Sequence, residues 1–196
     1  MKIAAALLGA CLLLTACEGA PATPPATPQA TQNLRPADTI VPSPTADPAA
    51  VSWMDGFCSA VHGYRERTNR EAGTPQPSPR SIAEAQKALS ATLGGIAART
   101  GEAVDKLTAL PPAPVPLGET VRQGFIAKFT KARDRATEAK VQLDRAKPGN
   151  EASQDPAAKA VEQAQQDVDG TYDPVGAFTA SPELMTAAAT APGCKA

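Results

Sequence analysis

Cysteine and histidine are the side chains of this sequence best suited to chemistry, because a thiolate or an imidazole can act as nucleophile, base or metal ligand. The chain has four cysteines and one histidine, His62, which lies four residues after Cys58. Neither a G-x-S-x-G nor an H-E-x-x-H motif is present, and no nucleophile and orienting carboxylate accompany His62 in a known framework. The sequence therefore predicts a solvated or edge histidine in a protein that is not an enzyme and holds no cofactor.

The first seventeen residues have the layout of a bacterial lipoprotein signal. Lys2 gives a positive start, and Ile3–Leu14 is an apolar run of signal-peptide rather than membrane-span length. The segment Leu14-Thr15-Ala16-Cys17 resembles the lipobox. The resemblance implies that residues 1–16 are removed, that Cys17 is acylated (a palmitate-type modification), and that the protein is lipid-anchored on the extracytoplasmic face of the cell membrane. The alternative is an ordinary secretory signal peptide.

Two thiols, Cys58 and Cys194, remain once Cys11 leaves with the signal peptide and Cys17 is acylated. In an oxidising extracytoplasmic compartment, an even remainder of two predicts one disulfide. A zinc site is disfavoured because His62 is the only histidine and no further soft ligand lies nearby. A redox pair is disfavoured because the two cysteines are 136 positions apart. The disulfide would close nearly the whole domain.

The amino-acid composition divides the chain into a predicted spacer and a predicted folded domain. Glu18 to Ala46 is mostly Pro, Ala, Thr and Gln, so residues 17–46 are predicted to be the lipidated cysteine and a disordered tether. At about 3.1 Å per residue, such a tether reaches up to about 90 Å from the membrane. The whole chain carries 19 basic and 20 acidic residues, a formal charge of −1, which gives no global field for nucleic acid.

Residues 47–196 are predicted to form an all-α domain. Breaks rich in Pro and Gly separate five helical segments, predicted at about 48–70, 81–110, 117–147, 155–169 and 181–189. Asp47-Pro48 and Asp155-Pro156 are predicted helix starts, and Ser81 with Glu84 has a capping-box pattern. No alternating run or Asn-Gly turn indicates a strand. The predicted fold is a four-helix-type bundle plus a short C-terminal helix, closed by one disulfide.

Several residues allow a structural and a functional interpretation. Residues 122–147 are rich in basic side chains and 151–173 in acidic ones, which favours an antiparallel pair of helices over a site for phospholipid heads or anionic wall polymer. Asp167 and Asp169 are predicted on different helix faces, not as paired carboxylates. Trp53 is predicted to anchor the edge of the bundle. The adjacent Gly94 and Gly95 permit either a kink or the close approach of a neighbour.

The lipobox, the tether, the W-x-x-x-F-C element at 53–58 and a cysteine near the C-terminus together resemble small lipoproteins and secreted proteins of actinobacteria. The resemblance covers the full chain and implies an extracytoplasmic helical domain with a disulfide, but no activity. The predicted function is therefore a membrane-anchored interaction or envelope-scaffolding module whose partner is an envelope protein or lipid. The alternative is a carrier or sensor of a lipid or small apolar molecule, which needs a continuous apolar pocket of about 300 Å³ or more between the helices.

Overall fold

The computed structural model describes residues 45–75 and 77–195, and this part of the chain contains helices and no strand. The all-α prediction is confirmed. The α-helices are α1 (Pro48–Ala72), α2 (Ile82–Thr108), α3 (Pro116–Arg145), α4 (Gln154–Asp167) and α5 (Pro182–Thr190). Short 3₁₀ helices span Glu151–Ser153, Gly176–Phe178 and Pro192–Cys194. The predicted signal peptide, Cys17, and all but the last two residues of the predicted tether lie outside the described residues.

Side-chain caps begin three of the α-helices. Oδ2 of Asp47 accepts a hydrogen bond from the N–H of Ala50 at 3.2 Å, as its predicted role requires. Ser81 Oγ accepts from the N–H of Glu84 at 3.1 Å, and Ser181 caps α5 in the same way. The capping box at Ser81 is only half formed, because the Glu84 carboxylate accepts from the N–H of Arg80.

The predicted cap of α4 at Asp155 is wrong, because the helix begins one residue earlier than predicted. The helix begins at Gln154, directly after the 3₁₀ turn Glu151–Ser153, so Asp155 lies in its first turn rather than at its cap. A carboxylate is favourable there because the exposed N–H groups make a helix start electropositive. Pro156 fits the same turn because the first N–H groups of a helix have no partner within the helix.

The core is aromatic around α1. All four phenylalanines of the chain, together with Trp53 and Tyr64, are buried. Phe57 lies at the centre, with ring centroids 5.1 Å from Phe125, 5.2 Å from Phe178 and 5.3 Å from Trp53. Although aromatic residues make up only 4% of the chain, they concentrate where α1 meets α3 and the 3₁₀ helix Gly176–Phe178.

Alanine dominates the packing between α3 and α4. Ala132 and Ala136 of α3 are fully buried, as is nearly all of Ala157 and Ala164 of α4. Side chains of this size let two helices approach closely, and the strength of such packing then depends on fit rather than on large apolar area. The bundle therefore has an aromatic region around α1 and an alanine-lined region around α4.

One buried amide joins α2 to the end of α3. Nε2 of Gln86 donates to the carbonyl of Leu143 at 2.9 Å, and its Oε1 accepts from the N–H of Gly149 at 3.0 Å. Gly149 has φ +80°, which favours glycine in the turn before α4. The side chain of Gln86 thus satisfies its own buried polar atoms while fixing the position of that turn.

α2 continues as one helix through Gly94 and Gly95, and side chains of two neighbouring helices approach these glycines closely. A Cβ atom at Gly94 would lie 3.3 Å from Cε of Lys140 on α3. A Cβ atom at Gly95 would lie 2.9 Å from Oε1 of Glu71 on α1. The side chains of Lys140 and Glu71 therefore lie directly against the backbone of α2.

We expect Phe57→Ala to lower the free energy of unfolding by about 3–5 kcal/mol, because it removes the ring at the centre of the aromatic core. The control is Val141→Ala at a side chain that is 40% exposed, where a change within about 0.5 kcal/mol is expected. Denaturant unfolding monitored by circular dichroism measures both. Equal effects of the two substitutions would show that the aromatic cluster does not hold the bundle together.

Candidate functional site

The residues singled out for chemistry meet where the C-terminus lies on α1. Asp55, Cys58 and His62 follow one another at spacings of three and four, which places them on one face of the helix. The 3₁₀ helix Pro192–Cys194 packs against this face. We call the contact formed by Asp55, Cys58, His62, Gly193 and Cys194 the C-terminal closure.

The predicted disulfide between Cys58 and Cys194 is present in the structure. The Cα atoms of the two residues are 5.0 Å apart, within the normal range for such a bond. Cys58 is fully buried, whereas Cys194 is partly exposed. Both sulfur atoms are bonded to each other, so in this state neither is a nucleophile or a metal ligand.

Hydrogen bonds hold the backbone of Gly193 through both its N–H and its carbonyl. Its N–H donates to Oδ1 of Asp55 at 2.6 Å, and its carbonyl lies 2.8 Å from Nδ1 of His62. A neutral histidine protonated on Nδ1 donates this second bond. A Cβ atom at position 193 would lie 2.6 Å from the backbone carbonyl oxygen of Asp55, so only glycine fits. The closure therefore combines one covalent bond with hydrogen bonds to the two peptide groups that flank the Cα atom of Gly193.

The prediction that His62 is solvated or at an edge is wrong. His62 is 6% exposed and is covered by the C-terminal segment. Burial lowers its pKa below 6.5, and the positive charge of Arg65 adds to this effect. The hydrogen bond to the Gly193 carbonyl and the charges of Glu66 and Asp173 oppose the shift without cancelling it. The position of His62 one turn after Cys58 was the available signal, because a disulfide at Cys58 brings the C-terminus to the same face.

Asp55, Ser59 and His62 are the residue types of a hydrolytic triad on one helix face, but their geometry here serves a different task. The hydrogen bonds of Asp55 and His62 go to the N–H and the carbonyl of the same residue, Gly193. Ser59 is exposed and lies beside Gly193. The arrangement of Asp55 and His62 therefore binds a backbone segment.

In the described ranges, 45–75 and 77–195, no group of three or more His, Cys, Asp or Glu residues could hold a metal ion.

Trp53 belongs to the core and not to the edge of the bundle, which corrects the prediction. It is 2% exposed, and its ring packs on Phe57 and Phe178. Its indole Nε1 donates to the carbonyl of Pro111 at 3.1 Å, which satisfies the polar atom of the buried ring. The burial was missed because α1 has contacts with α5 on a second side, beyond the stripe that its periodicity indicates.

The charge blocks of α3 and α4 pair with each other, as the structural interpretation predicts. Asp167 accepts from Arg135 Nε at 2.7 Å and from Lys131 Nζ at 2.8 Å. Lys128 donates to the backbone carbonyl of Asp169, which lies beyond the end of α4. Burial disfavours ionisation of Asp167, but the hydrogen bonds from the two cations outweigh it and hold its pKa below the usual value. Basic side chains on this side of α3 are thus engaged within the domain.

A groove of about 340 Å³ lies between the end of α1 and the middle of α2. It is open to solvent, and polar and apolar side chains share its walls, so it does not have the continuous apolar lining that a lipid carrier needs. The groove is lined by Thr68, Glu71, Ala72, Thr74, Ala88, Ala91, Thr92, Ile96, Arg99 and Gln165. Sequence reasoning missed this site, because its walls come from three separate helices and the segment that follows α1.

Among the described residues, no helix combines the length and apolar character required to cross a membrane. The predicted acylation site, Cys17, falls outside that range. No protein-family model, curated protein or solved structure matches this chain.

Replacing both closure cysteines, Cys58→Ala with Cys194→Ala, is expected to lower the free energy of unfolding by about 2–5 kcal/mol and the melting temperature by several degrees or more. The reason is that the unfolded chain is no longer crosslinked. Thermal unfolding with and without reductant checks this, because reductant should destabilise the parent chain and leave the double variant unchanged. A parent chain whose melting temperature does not respond to complete reduction would contradict the role of the bond.

The lowered pKa of His62 predicts that the free energy of unfolding decreases as the pH falls. Because its pKa is lowered from 6.5 in the folded state, the unfolded chain takes up the proton first as the pH falls. The stabilisation is complete above pH 6.5 and is lost progressively as the pH falls towards the lowered pKa. Denaturant unfolding between about pH 7.5 and pH 5.5 measures the loss.

The control for this prediction is His62→Gln, which removes the only histidine of the chain. Glu102, Asp144 and Asp167 have lowered pKa values and therefore titrate below the tested window. The variant should show little change of stability across that window. A variant with the same pH dependence as the parent chain would assign the effect to other groups.

Proposed function

We propose that this chain is a lipoprotein anchored through Cys17 to the extracytoplasmic face of a membrane, where its disulfide-closed bundle acts as a non-enzymatic interaction or envelope-scaffolding module. The observation that carries the proposal is the disulfide between Cys58 and Cys194. Such bonds form and persist in oxidising compartments and are rare in the cytosol. The bond therefore supports the same location as the lipobox-like segment ending at Cys17.

The organisation of the chain fits a tethered domain. Residues 17–46 have the composition of a spacer, and α1 begins immediately afterwards at Pro48. A bundle held in this way can contact partners at a distance of up to about 90 Å from the membrane. This arrangement suits a module that binds other components of the envelope.

The side chains of the described domain favour binding over catalysis. Asp55 and His62 are engaged by the N–H and the carbonyl of Gly193, and the two cysteines of the closure form a disulfide. The ion pairs between α3 and α4 occupy basic side chains that an anionic polymer would otherwise use. These contacts support a protein partner rather than a bare anionic surface.

Cys17→Ala tests the anchor, and Cys11→Ala is the matched control because it changes a cysteine of the predicted signal peptide that is not the acyl acceptor. We expect the parent chain and Cys11→Ala to be found in the membrane fraction and to gain the mass of acyl chains. We expect Cys17→Ala to be unprocessed or released without lipid. Membrane fractionation and intact-mass analysis read out both properties. A mature N-terminus at another residue, without lipid, would contradict the proposal.

The second arm of this experiment identifies what the anchored protein binds. The intact lipoprotein is crosslinked in its own envelope, and co-purified proteins and lipids are both analysed. A protein that binds again when the purified components are mixed supports the interaction module. A lipid recovered at one molecule per chain, with no protein, would favour the carrier alternative.

A further inference from the structure

The groove between α1 and α2 has a partly buried positive charge at its wall. The side chain of Arg99 is 13% exposed and pairs with Glu71, whose side chain is 43% exposed. Both groups lie against Gly95, where a Cβ atom would be 2.9 Å from Nη1 of Arg99 and 2.9 Å from Oε1 of Glu71. The guanidinium and the carboxylate are thus placed side by side on the backbone of α2, at the wall of the 340 Å³ groove.

The guanidinium of Arg99 has more donors than its partner can satisfy. It carries five N–H donors, whereas one carboxylate engages at most two of them in a paired geometry. Its Nε is buried and has no acceptor in residues 45–75 and 77–195. Burial lowers the pKa of Arg99, and the nearby positive charge of Arg67 adds to this. Nε is out of reach of a ligand in the groove, but the Nη N–H groups that Glu71 does not engage remain to donate to an oxygen-bearing ligand at this wall.

The charges and size of the groove define the class of ligand. A simple anion would be attracted by Arg99 but repelled by Glu71. A simple cation would be attracted by Glu71 but repelled by Arg99. A molecule with a carboxylate next to an ammonium group complements both side chains at once. The volume of about 340 Å³ corresponds to roughly ten water molecules. This is room for an amino acid or a dipeptide.

We propose that the groove binds a small zwitterion, an amino acid or dipeptide, with its carboxylate on Arg99 and its ammonium group on Glu71. The small apolar side chains of Ala72, Ala88 and Ala91 line the groove and contact the side chain of the ligand. Gln165, from α4, supplies an amide at the wall. This site goes beyond the proposed function and does not depend on where the protein is anchored.

The test uses the full chain and three probes that differ only at their ends. L-alanyl-L-alanine carries both charges, its N-acetyl derivative lacks the ammonium group, and its C-terminal amide lacks the carboxylate. Saturation-transfer NMR titrations measure the affinity of each probe. We expect the dipeptide to bind with a Kd of about 1 mM or tighter, and each blocked form to bind about tenfold more weakly.

Variants assign the binding to the groove. Arg99→Lys keeps the charge but loses the planar pair of donors, so we expect about tenfold weaker binding of the dipeptide. Arg133→Lys is the matched control, because Arg133 forms a surface ion pair with Asp134 and does not line the groove. If circular dichroism shows that Arg99→Lys is unfolded, Glu71→Gln at the more exposed partner replaces it, with the expectation that the dipeptide then binds no better than its N-acetyl derivative.

Three results would overturn this proposal. The first is no saturation transfer from the parent chain at about 10 mM dipeptide. The second is equal affinity for the three probes, since the two charges would then play no part. The third is a dipeptide affinity that a folded groove variant does not change relative to the parent chain and Arg133→Lys. None of these results bears on whether Cys17 is acylated.

Discussion

The bond between Cys58 and Cys194 is the constraint on which the C-terminal part of the domain depends. It holds a 3₁₀ helix against α1, and the hydrogen bonds of Asp55 and His62 to the N–H and the carbonyl of Gly193 fix the orientation of that helix. α5, directly before it, has nine residues, which is shorter than an isolated helix needs for stability in water. Its buried side chains are Leu184 and the small Ala187 and Ala188, so the closure anchors the end of α5 that would otherwise fray.

This closure also explains why α1 has more than one buried side. α2 covers one side of the helix, while α5 and the 3₁₀ helix cover another. Trp53, Phe57 and His62 are therefore enclosed together, although only part of α1 faces the neighbouring long helices. The aromatic core and the closure share α1, whereas the alanine-lined packing of α3 against α4 lies in the other region of the bundle.

The sequence predicted what local signals determine. Caps and proline breaks located the helices, and the parity of the cysteines, under the expectation of an extracytoplasmic location, predicted the disulfide, because both depend on residue type and position alone. The burial of Trp53 and His62 was missed, since it depends on a segment more than 100 residues away whose docking leaves no trace in the periodicity of α1. The pairing of Arg99 with Glu71 over Gly95 was missed for the same reason, as it requires the positions of two helices at once.

Hydrogen exchange of the full chain, followed by mass spectrometry in the oxidised and reduced states, tests the central claim most directly. If the closure anchors the C-terminal part, amides of residues 182–195 are protected in the oxidised protein and exchange much faster after reduction. Amides in the middle of α2 and α3 keep their protection, because their contacts do not pass through the disulfide. Unchanged protection of residues 182–195 after complete reduction would contradict the account, since α5 would then be held by its own packing.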